Sequence, residues 1–570
     1  MLKLFDKNSS IKADTPLLLI FFSVIAFIYI SFNGNVHLFD WDEINFAEAA
    51  REMMVTGDYL NVRIDYEPFH EKPPLFIWMQ LISMKLFGVS EFAARLPNAI
   101  AGIITLFVLI NIGRKVYDKT FAYLWALAYF GSILPFFYFK SSIIDPVFNL
   151  FMFLGVYYLF NFTAYSIITG RNKVKDVIFA GLFTALAFLT KGPVGFLLVF
   201  MTWAVFWIFN TRKFKLPVKE ILIFVLISFV PALVWYFLIF MQQGEGLIYE
   251  FISYQIRLLT TGDAGHEGPF YYHFVVVFFG CFPASIFALN SFRKNEADNM
   301  SQIAFKHFNI ILLLVVLIIF SIVKTKILHY SSLAYFPVTF LAADYMYRLL
   351  KDEKRKHKTV TISTSVIGLI LAIALTAFPI ILMNIDVFLP QITDKLTNAL
   401  LRADINWTGM EISSGIILII GICLFVYFMM KRKFVKGITA LFISTAFSIY
   451  FFMIFMAPVI ENYTQNSAVE FFKSLSGKEV YVHTLGYKSY APFYYQEKKY
   501  ENSKYHLSMS GREYEEYLLF GKIDKDAYFS AKVNNYEDYI EKQPELEVLY
   551  ENNGYIFLKR KKNKIKFDDV

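Results

Sequence analysis

The chain has 570 residues, of which 56% are hydrophobic, 19% aromatic and only 18% charged, with a mean hydropathy of +0.47. Soluble chains of this length carry roughly a quarter of their residues as charges and divide into several domains, so the soluble-enzyme classes are excluded. Ordinary glycine (27) and proline (18) beside so much apolar sequence exclude disordered and collagen-like chains too. The net charge of +8 resides mainly in short loops between apolar runs, which orientation in a membrane explains without a nucleic-acid partner. Cys281 and Cys423 both lie in apolar segments, so neither a disulfide framework nor redox chemistry is expected.

Crossing the hydrocarbon core takes about 20 apolar residues. By that rule the sequence predicts about thirteen spans, near 16–32, 96–113, 120–139, 142–162, 177–190, 193–210, 220–240, 272–290, 308–323, 331–349, 359–384, 413–430 and 437–458. The fifth runs into the sixth at Lys191-Gly192-Pro193, where the Gly-Pro pair predicts a helix break. Every second loop is basic: Arg114/Lys115, Arg171/Lys173/Lys175, Arg212/Lys213/Lys215, Arg293/Lys294, Lys351/Lys354/Arg355/Lys356/Lys358 and Lys431/Arg432/Lys433. The positive-inside rule makes these loops cytoplasmic. With the N-terminus inside, segments 33–95, 241–271, 385–412 and 461–570 fall outside. The first apolar run has no small-residue cleavage site before Asn33 and reads as an uncleaved span.

Segment 33–95 is the most informative. Asp40-Trp41-Asp42-Glu43 follows the first span. Ile44 to Met54 then places Phe46, Ala49, Ala50, Met53 and Met54 on one helical face and Glu48, Arg51 and Glu52 on another, the pattern of a helix lying in the membrane interface. After a turn at Gly57-Asp58 comes Glu67-Pro68-Phe69-His70-Glu71-Lys72-Pro73-Pro74, whose paired prolines fix the backbone and aim Lys72. Leu75 to Phe87 is too short to span and predicts a second interfacial helix.

At the other end, 461–570 is rich in Tyr, Lys and Glu. Alternating runs at Glu479–Thr484, Ala527–Ala531, Leu546–Tyr550 and Tyr555–Leu558 predict the strands of a small soluble α/β domain. The expected division is a transmembrane unit, 1–460, and an external one, 461–570, whose closing Lys559-Arg560-Lys561-Lys562 reads as a solvated tail.

Other polar residues mark the external ends of spans. Asp145 opens the fourth span and Lys191 closes the fifth. Arg257 and His266 flank Gly262-Asp263-Ala264-Gly265, while Lys324, Lys326, His329 and Tyr330 follow the ninth span. Singly, each is explained as a solvated charge, a snorkelling side chain or a helix cap. On the predicted topology all share the side of Asp42. Clustered Lys and Arg there suit a lipid phosphate, and a carboxylate beside them suits an acceptor that must be deprotonated or positioned. The chain has no G-x-x-x-x-G-K-[ST] loop, which favours a phosphate-linked, lipid-anchored substrate over a nucleotide.

Asp42-Glu43-x-x-x-Ala47-Glu48-x-Ala50-Arg51-Glu52-Met53, Gly57-Asp58, Glu71-Lys72-Pro73-Pro74-Leu75-x-x-Trp78, Leu86-Phe87-Gly88 and Ala94-Arg95-Leu96-Pro97 resemble the first external loop of one GT-C glycosyltransferase group. That group contains the bacterial lipid A aminoarabinose transferases and is related to the protein O-mannosyltransferases. Phe188-Leu189-Thr190-Lys191-Gly192-Pro193, Pro269-Phe270-Tyr271-Tyr272 and Lys326-x-x-His329-Tyr330 with Pro337 are similar to its later motifs, so the resemblance covers roughly 35–345. It implies a catalytic acid at Asp42, with Glu43 its neighbour and Asp145 a second acid of the cavity. It implies that Lys72 and Arg257 hold the donor phosphate, with Lys191 and Tyr330 beside it, and that His266 and Lys326 border the cavity. Glu71 and His329 resemble a pair able to hold a divalent metal such as zinc. Two protein ligands fall short of the usual three or four, and a hydrogen-bonded His329 without metal is the other reading, so a divalent metal such as zinc is one option and not a certain requirement.

The resemblance thus implies a polytopic α-helical GT-C protein of the bacterial inner membrane with a periplasmic site. Its activity would be inverting transfer of a sugar (aminoarabinose, mannose or a relative) from a polyprenyl (undecaprenyl) phosphate to lipid A or another glycolipid. Transfer to protein hydroxyls is the alternative within the class. A transporter or flippase for lipid-linked substrates is the alternative outside it; that would need midplane charges or inverted repeats with broken helices, and neither pattern is evident.

Overall fold

The structure, a computed structural model, describes residues 15–69, 71–169, 173–210, 216–244, 246, 249, 250, 253, 256, 257, 267–292, 298–352 and 357–563. His266, the stretch 262–265 and the loop residues Arg171, Arg212, Lys213, Lys215, Arg293, Lys294, Lys354, Arg355 and Lys356 lie outside the described residues.

Helix occupies every apolar run. In chain order come α1 (Thr15–Ile30), α2 (Asp42–Thr56), α3 (Leu75–Phe87), α4 (Glu91–Val116), α5 (Lys119–Phe130), α6 (Ile133–Tyr138), α7 (Asp145–Thr169), α8 (Val174–Lys191), α9 (Val194–Asn210) and α10 (Val218–Gln243). Later helices include Tyr272–Gly280, Ala284–Leu289, Met300–Ile322, Tyr335–Lys351, Lys358–Met383, Ser413–Met430 and Phe434–Phe451. Among the described residues, seven helices are long and apolar enough to cross a bilayer. The chain is a polytopic helical membrane protein. Gly192, at φ +90°, makes the break between α8 and α9 in a backbone region that a side chain would strain.

Segment 33–95 holds two helices, α2 and α3, at the expected places. Gly57, at φ +70°, ends α2 by donating its N–H to the Met53 carbonyl. Between the helices lies a hairpin, β1 (Arg63–Ile64) against β2 (Glu67–Pro68), turned at Asp65-Tyr66 with both residues at positive φ.

The polar face of α2 departs from expectation. Glu48, Arg51 and Glu52 are buried, not turned to water. Arg51 forks onto Glu48 with two 2.7 Å hydrogen bonds and donates a third to the Lys498 carbonyl at 3.2 Å. Beside them Lys498 pairs with Asp65 at 2.7 Å. The Tyr66 N–H donates to the Glu52 carboxyl, which burial and the Glu48 charge push well above the ordinary carboxylate range. The C-terminal segment therefore covers α2. Removing one partner of a buried pair costs about 3–5 kcal/mol, so Arg51→Ala is expected to lower the thermal unfolding temperature and expose the C-terminal segment to protease. Unchanged melting and cleavage would refute that role.

The C-terminal strands lie within a few residues of the alternating runs: β3 (Tyr481–Leu485), β4 (Ala527–Lys532), β5 (Glu547–Asn552) and β6 (Tyr555–Arg560). They form one sheet in the order β3-β4-β6-β5, with β3 parallel to β4 and the other pairs antiparallel. Period-two alternation buries both faces of the inner strands β4 and β6, while the edge strand β5 is exposed throughout. Ile556 and Leu558 join Tyr514 and Leu518 in a local core, whereas Tyr555 and Phe557 join the principal core of the molecule, where Phe557 stacks on Phe471 with ring centroids 4.3 Å apart. The closing basic run is not a free tail. Arg560 is buried and donates to the Leu518 carbonyl at 3.0 Å, and Lys559 pairs with Asp526 at 2.8 Å.

Candidate active site

Three helix ends and a 3₁₀ turn meet at the site. Asp42 lies in the first turn of α2 and Asp145 in that of α7, where the helix dipole favours carboxylates; Lys191 lies in the last turn of α8, where it favours cations. Because α7 and α8 pack together as a hairpin, the Lys191 ammonium reaches Asp145 Oδ1 at 2.6 Å. His329 comes from the 3₁₀ turn Leu328–Ala334. That turn is held by Asn149 of α7, which donates to Ser332 Oγ at 2.7 Å, while the Ser332 hydroxyl donates to the His329 carbonyl.

His329 Nε2 lies 3.6 Å from Asp42 Oδ2 and 3.6 Å from Asp145 Oδ2. Both distances exceed a formed hydrogen bond, so a small movement suffices to bond the ring to either acid. Asp145 Oδ2 is buried without a hydrogen-bond partner and faces the ring. Burial pushes the His329 imidazole below the ordinary histidine range, opposed by Asp145 and Asp42 and reinforced by Lys191 and Lys72. The Lys191 ammonium also lies 5.1 Å from the centre of the Tyr330 ring. Exposure separates the two acids: the Asp42 side chain is 43% exposed and that of Asp145 only 2%. Asp42 can meet a substrate; Asp145 holds a lysine.

Glu43 is not part of this constellation. Its carboxyl is buried and saturated, accepting from Arg95 Nε at 3.1 Å and Nη2 at 2.8 Å, from Phe39 N at 2.9 Å and from Ser142 N at 2.6 Å. Burial alone would raise it, but Arg95 and these N–H groups outweigh that and hold it below the ordinary range. Glu43 thereby clamps the 33–43 segment to the strand of backbone leading into Asp145. It is a positioning residue.

Lys72 lies 3.7 Å from Glu71. Arg257 and Glu71 line a cleft of about 400 Å³ together with Pro68, Phe69 and Tyr249. Among the described residues no group of three or more His, Cys, Asp or Glu side chains is arranged to hold a metal. Two ligands alone, Glu71 and His329, fall below that number. The Lys326 ammonium caps the helix Met300–Ile322, donating to the carbonyls of Phe320 at 3.0 Å, Ser321 at 2.7 Å and Val323.

Sequence reading missed two supports. Arg95 also donates to the carbonyls of Asn33, Val36 and His37 at 2.7–2.9 Å, so one guanidinium organises the whole approach to α2. Asp40 accepts from the Ser489 hydroxyl and from Tyr490 N at 3.2 Å, which ties the C-terminal sheet to the turn before Asp42. The acid-rich run 40–43 was the available signal for the second. Nothing local indicated its partners.

A family described as dolichyl-phosphate-mannose-protein mannosyltransferase matches residues 71–235. An uncharacterized protein of Aquifex aeolicus (strain VF5) is 29% identical over 66% of this chain and 82% of its own length. The undecaprenyl phosphate-alpha-4-amino-4-deoxy-L-arabinose arabinosyl transferase of Photorhabdus laumondii is 24% identical over 66% of this chain and 67% of its own. The crystal structure of ArnT from Cupriavidus metallidurans bound to undecaprenyl phosphate superposes with a TM-score of 0.74 at 16% identity, covering 96% of this chain and 98% of that one. In fold the chain is a GT-C-type membrane protein, and in sequence it is similar to the aminoarabinose transferases and to the protein mannosyltransferase family.

Proposed function

We propose that this chain is an inverting glycosyltransferase moving a sugar from a polyprenyl phosphate to lipid A or a related glycolipid at the outer leaflet of a bacterial inner membrane. The observation that carries the reading is the half-exposed Asp42 facing His329 and the buried Asp145–Lys191 pair. Likeness to arabinosyl transferases and to an undecaprenyl-phosphate-bound fold supplies the substrate class. All thirteen apolar runs cross the bilayer in this reading, with 1–460 the membrane unit and 461–570 periplasmic.

A polyprenyl phosphate departs once its charge is stabilised, so no nucleotide is needed. Lys72 and Arg257 neutralise the phosphate, with Lys191 and Tyr330 behind them. The acceptor attacks the anomeric carbon opposite the phosphate and inverts it. An acceptor hydroxyl gives its proton to Asp42; an acceptor phosphate is positioned by it. His329 orients Asp42, and Asp145 keeps Lys191 in place.

The mannosyltransferase match over 71–235 favours protein hydroxyls as a second reading. The deciding experiment presents the purified protein with labelled undecaprenyl-phosphate sugars and extracted membrane acceptors. Label in lipid is the expected outcome, and label in protein would select the second reading. Donor passage across proteoliposomes without any transfer would replace the enzyme by a transporter.

A further inference from the structure

A second and larger cleft, of about 710 Å³, lies between the β1–β2 hairpin and the C-terminal sheet. It falls within the range of roughly 300–1,000 Å³ usual for small-ligand sites. Its walls carry four tyrosines, Tyr487, Tyr490, Tyr514 and Tyr539, together with Phe69. They also carry three carboxylates, Asp65, Glu67 and Glu515, against three fixed cations, Lys488, Lys504 and Arg512. Most of these charges are already neutralised, Glu67 by Lys504, Asp65 by Lys498 and Arg512 by Glu516 at 3.2 Å, which leaves one carboxylate, Glu515, against one ammonium, Lys488. The cleft therefore offers ring faces and a rim of paired donors and acceptors, with no net field for an anion.

That chemistry fits a saccharide. A pyranose presents C–H faces that lie on aromatic rings, and an equatorial rim of hydroxyls that both donate and accept. A phosphate would call for surplus cations, and an acyl chain would call for walls without charge.

Position ties the cleft to the candidate active site. Pro68 and Phe69 line both it and the Arg257 cleft, so one short strand separates the two. Its floor, Ser489-Tyr490, is bonded to Asp40, two residues before Asp42. Lys488 lies 4.7 Å from the exposed Trp41 ring and 5.3 Å from Tyr490, bridging the cleft to the start of α2.

We propose that this cleft binds the sugar headgroup of the acceptor and presents it to Asp42, a role that rests on the glycosyltransferase reading. The test uses the full chain in nanodiscs and a water-soluble β-1,6-glucosamine disaccharide without acyl chains or phosphates, its binding followed by calorimetry. Undecaprenyl phosphate binding is measured on the same samples. Tyr539→Ala and the exposed Lys488→Ala are expected to weaken disaccharide binding about tenfold or more, a loss of about 1.4 kcal/mol, and to leave undecaprenyl phosphate binding unchanged. Equal binding by both variants overturns the proposal. So does a wild type that binds undecaprenyl phosphate but no disaccharide, which leaves the enzyme reading standing. Displacement of the disaccharide by inorganic phosphate would assign the cleft to an anion and overturn the saccharide. Disaccharide binding in a wild type that binds no undecaprenyl phosphate would sink the enzyme reading, and with it the acceptor role.

Discussion

Asp42→Asn is expected to lower kcat by about 10²–10⁴-fold, the usual contribution of a positioned acid or base, with the melting temperature unchanged. The substitution is isosteric, and the side chain is 43% exposed with His329 at 3.6 Å, so little folding energy depends on its charge. Asp145→Asn is the contrasting case. It leaves the Lys191 ammonium, only 11% exposed, without its counter-charge, which costs about 3–5 kcal/mol. Loss of activity in that variant should therefore come with loss of stability. Kinetics and thermal unfolding measured on the same preparations separate the two acids. Full turnover by a folded Asp42→Asn protein would remove Asp42 from the mechanism.

Arg95→Ala is expected to destabilise the protein by about 3–5 kcal/mol, because it strands a buried carboxylate and three carbonyls at once. Glu43→Gln keeps the shape and removes the charge, which makes it the sharper probe. The Glu43 carboxyl lies below its ordinary value of 4.5 in the fold, so the unfolded chain binds more protons there. Its contribution to stability is thus complete above about pH 4.5 and disappears as pH falls through the folded value. The gap in melting temperature between wild type and Glu43→Gln should be widest at neutral pH and narrow as pH falls below about 4.5. A gap independent of pH would show that Glu43 does not act through its charge.

The limits of the sequence reading follow the range of the forces involved. Glu43 and Asp42 are neighbours in a row of acids, and nothing in their spacing says which one is consumed by Arg95. The hydrogen bonds decide it, and they reach from Ser142, 99 residues on. Glu48, Arg51 and Glu52 read as a wet face because an isolated amphipathic helix would turn them to water. They are dry because Lys498, 447 residues beyond Arg51, brings a second polar surface onto them. Lys326 resembles its motif in sequence, yet its ammonium is drawn to the unsatisfied carbonyls at the end of the preceding helix.

By itself the sequence determined where the helices and strands lie, because a bilayer demands long apolar runs and a sheet demands alternation, and both are local properties of the chain. It also brought Asp42, Asp145, Lys191 and His329 under suspicion, since charged residues at span ends stand out against apolar sequence. The tertiary structure alone decided which of the charges face one another and which are spent on folding. An ion pair depends on a few ångströms between side chains hundreds of residues apart, and that distance is set only when the helix ends are packed together.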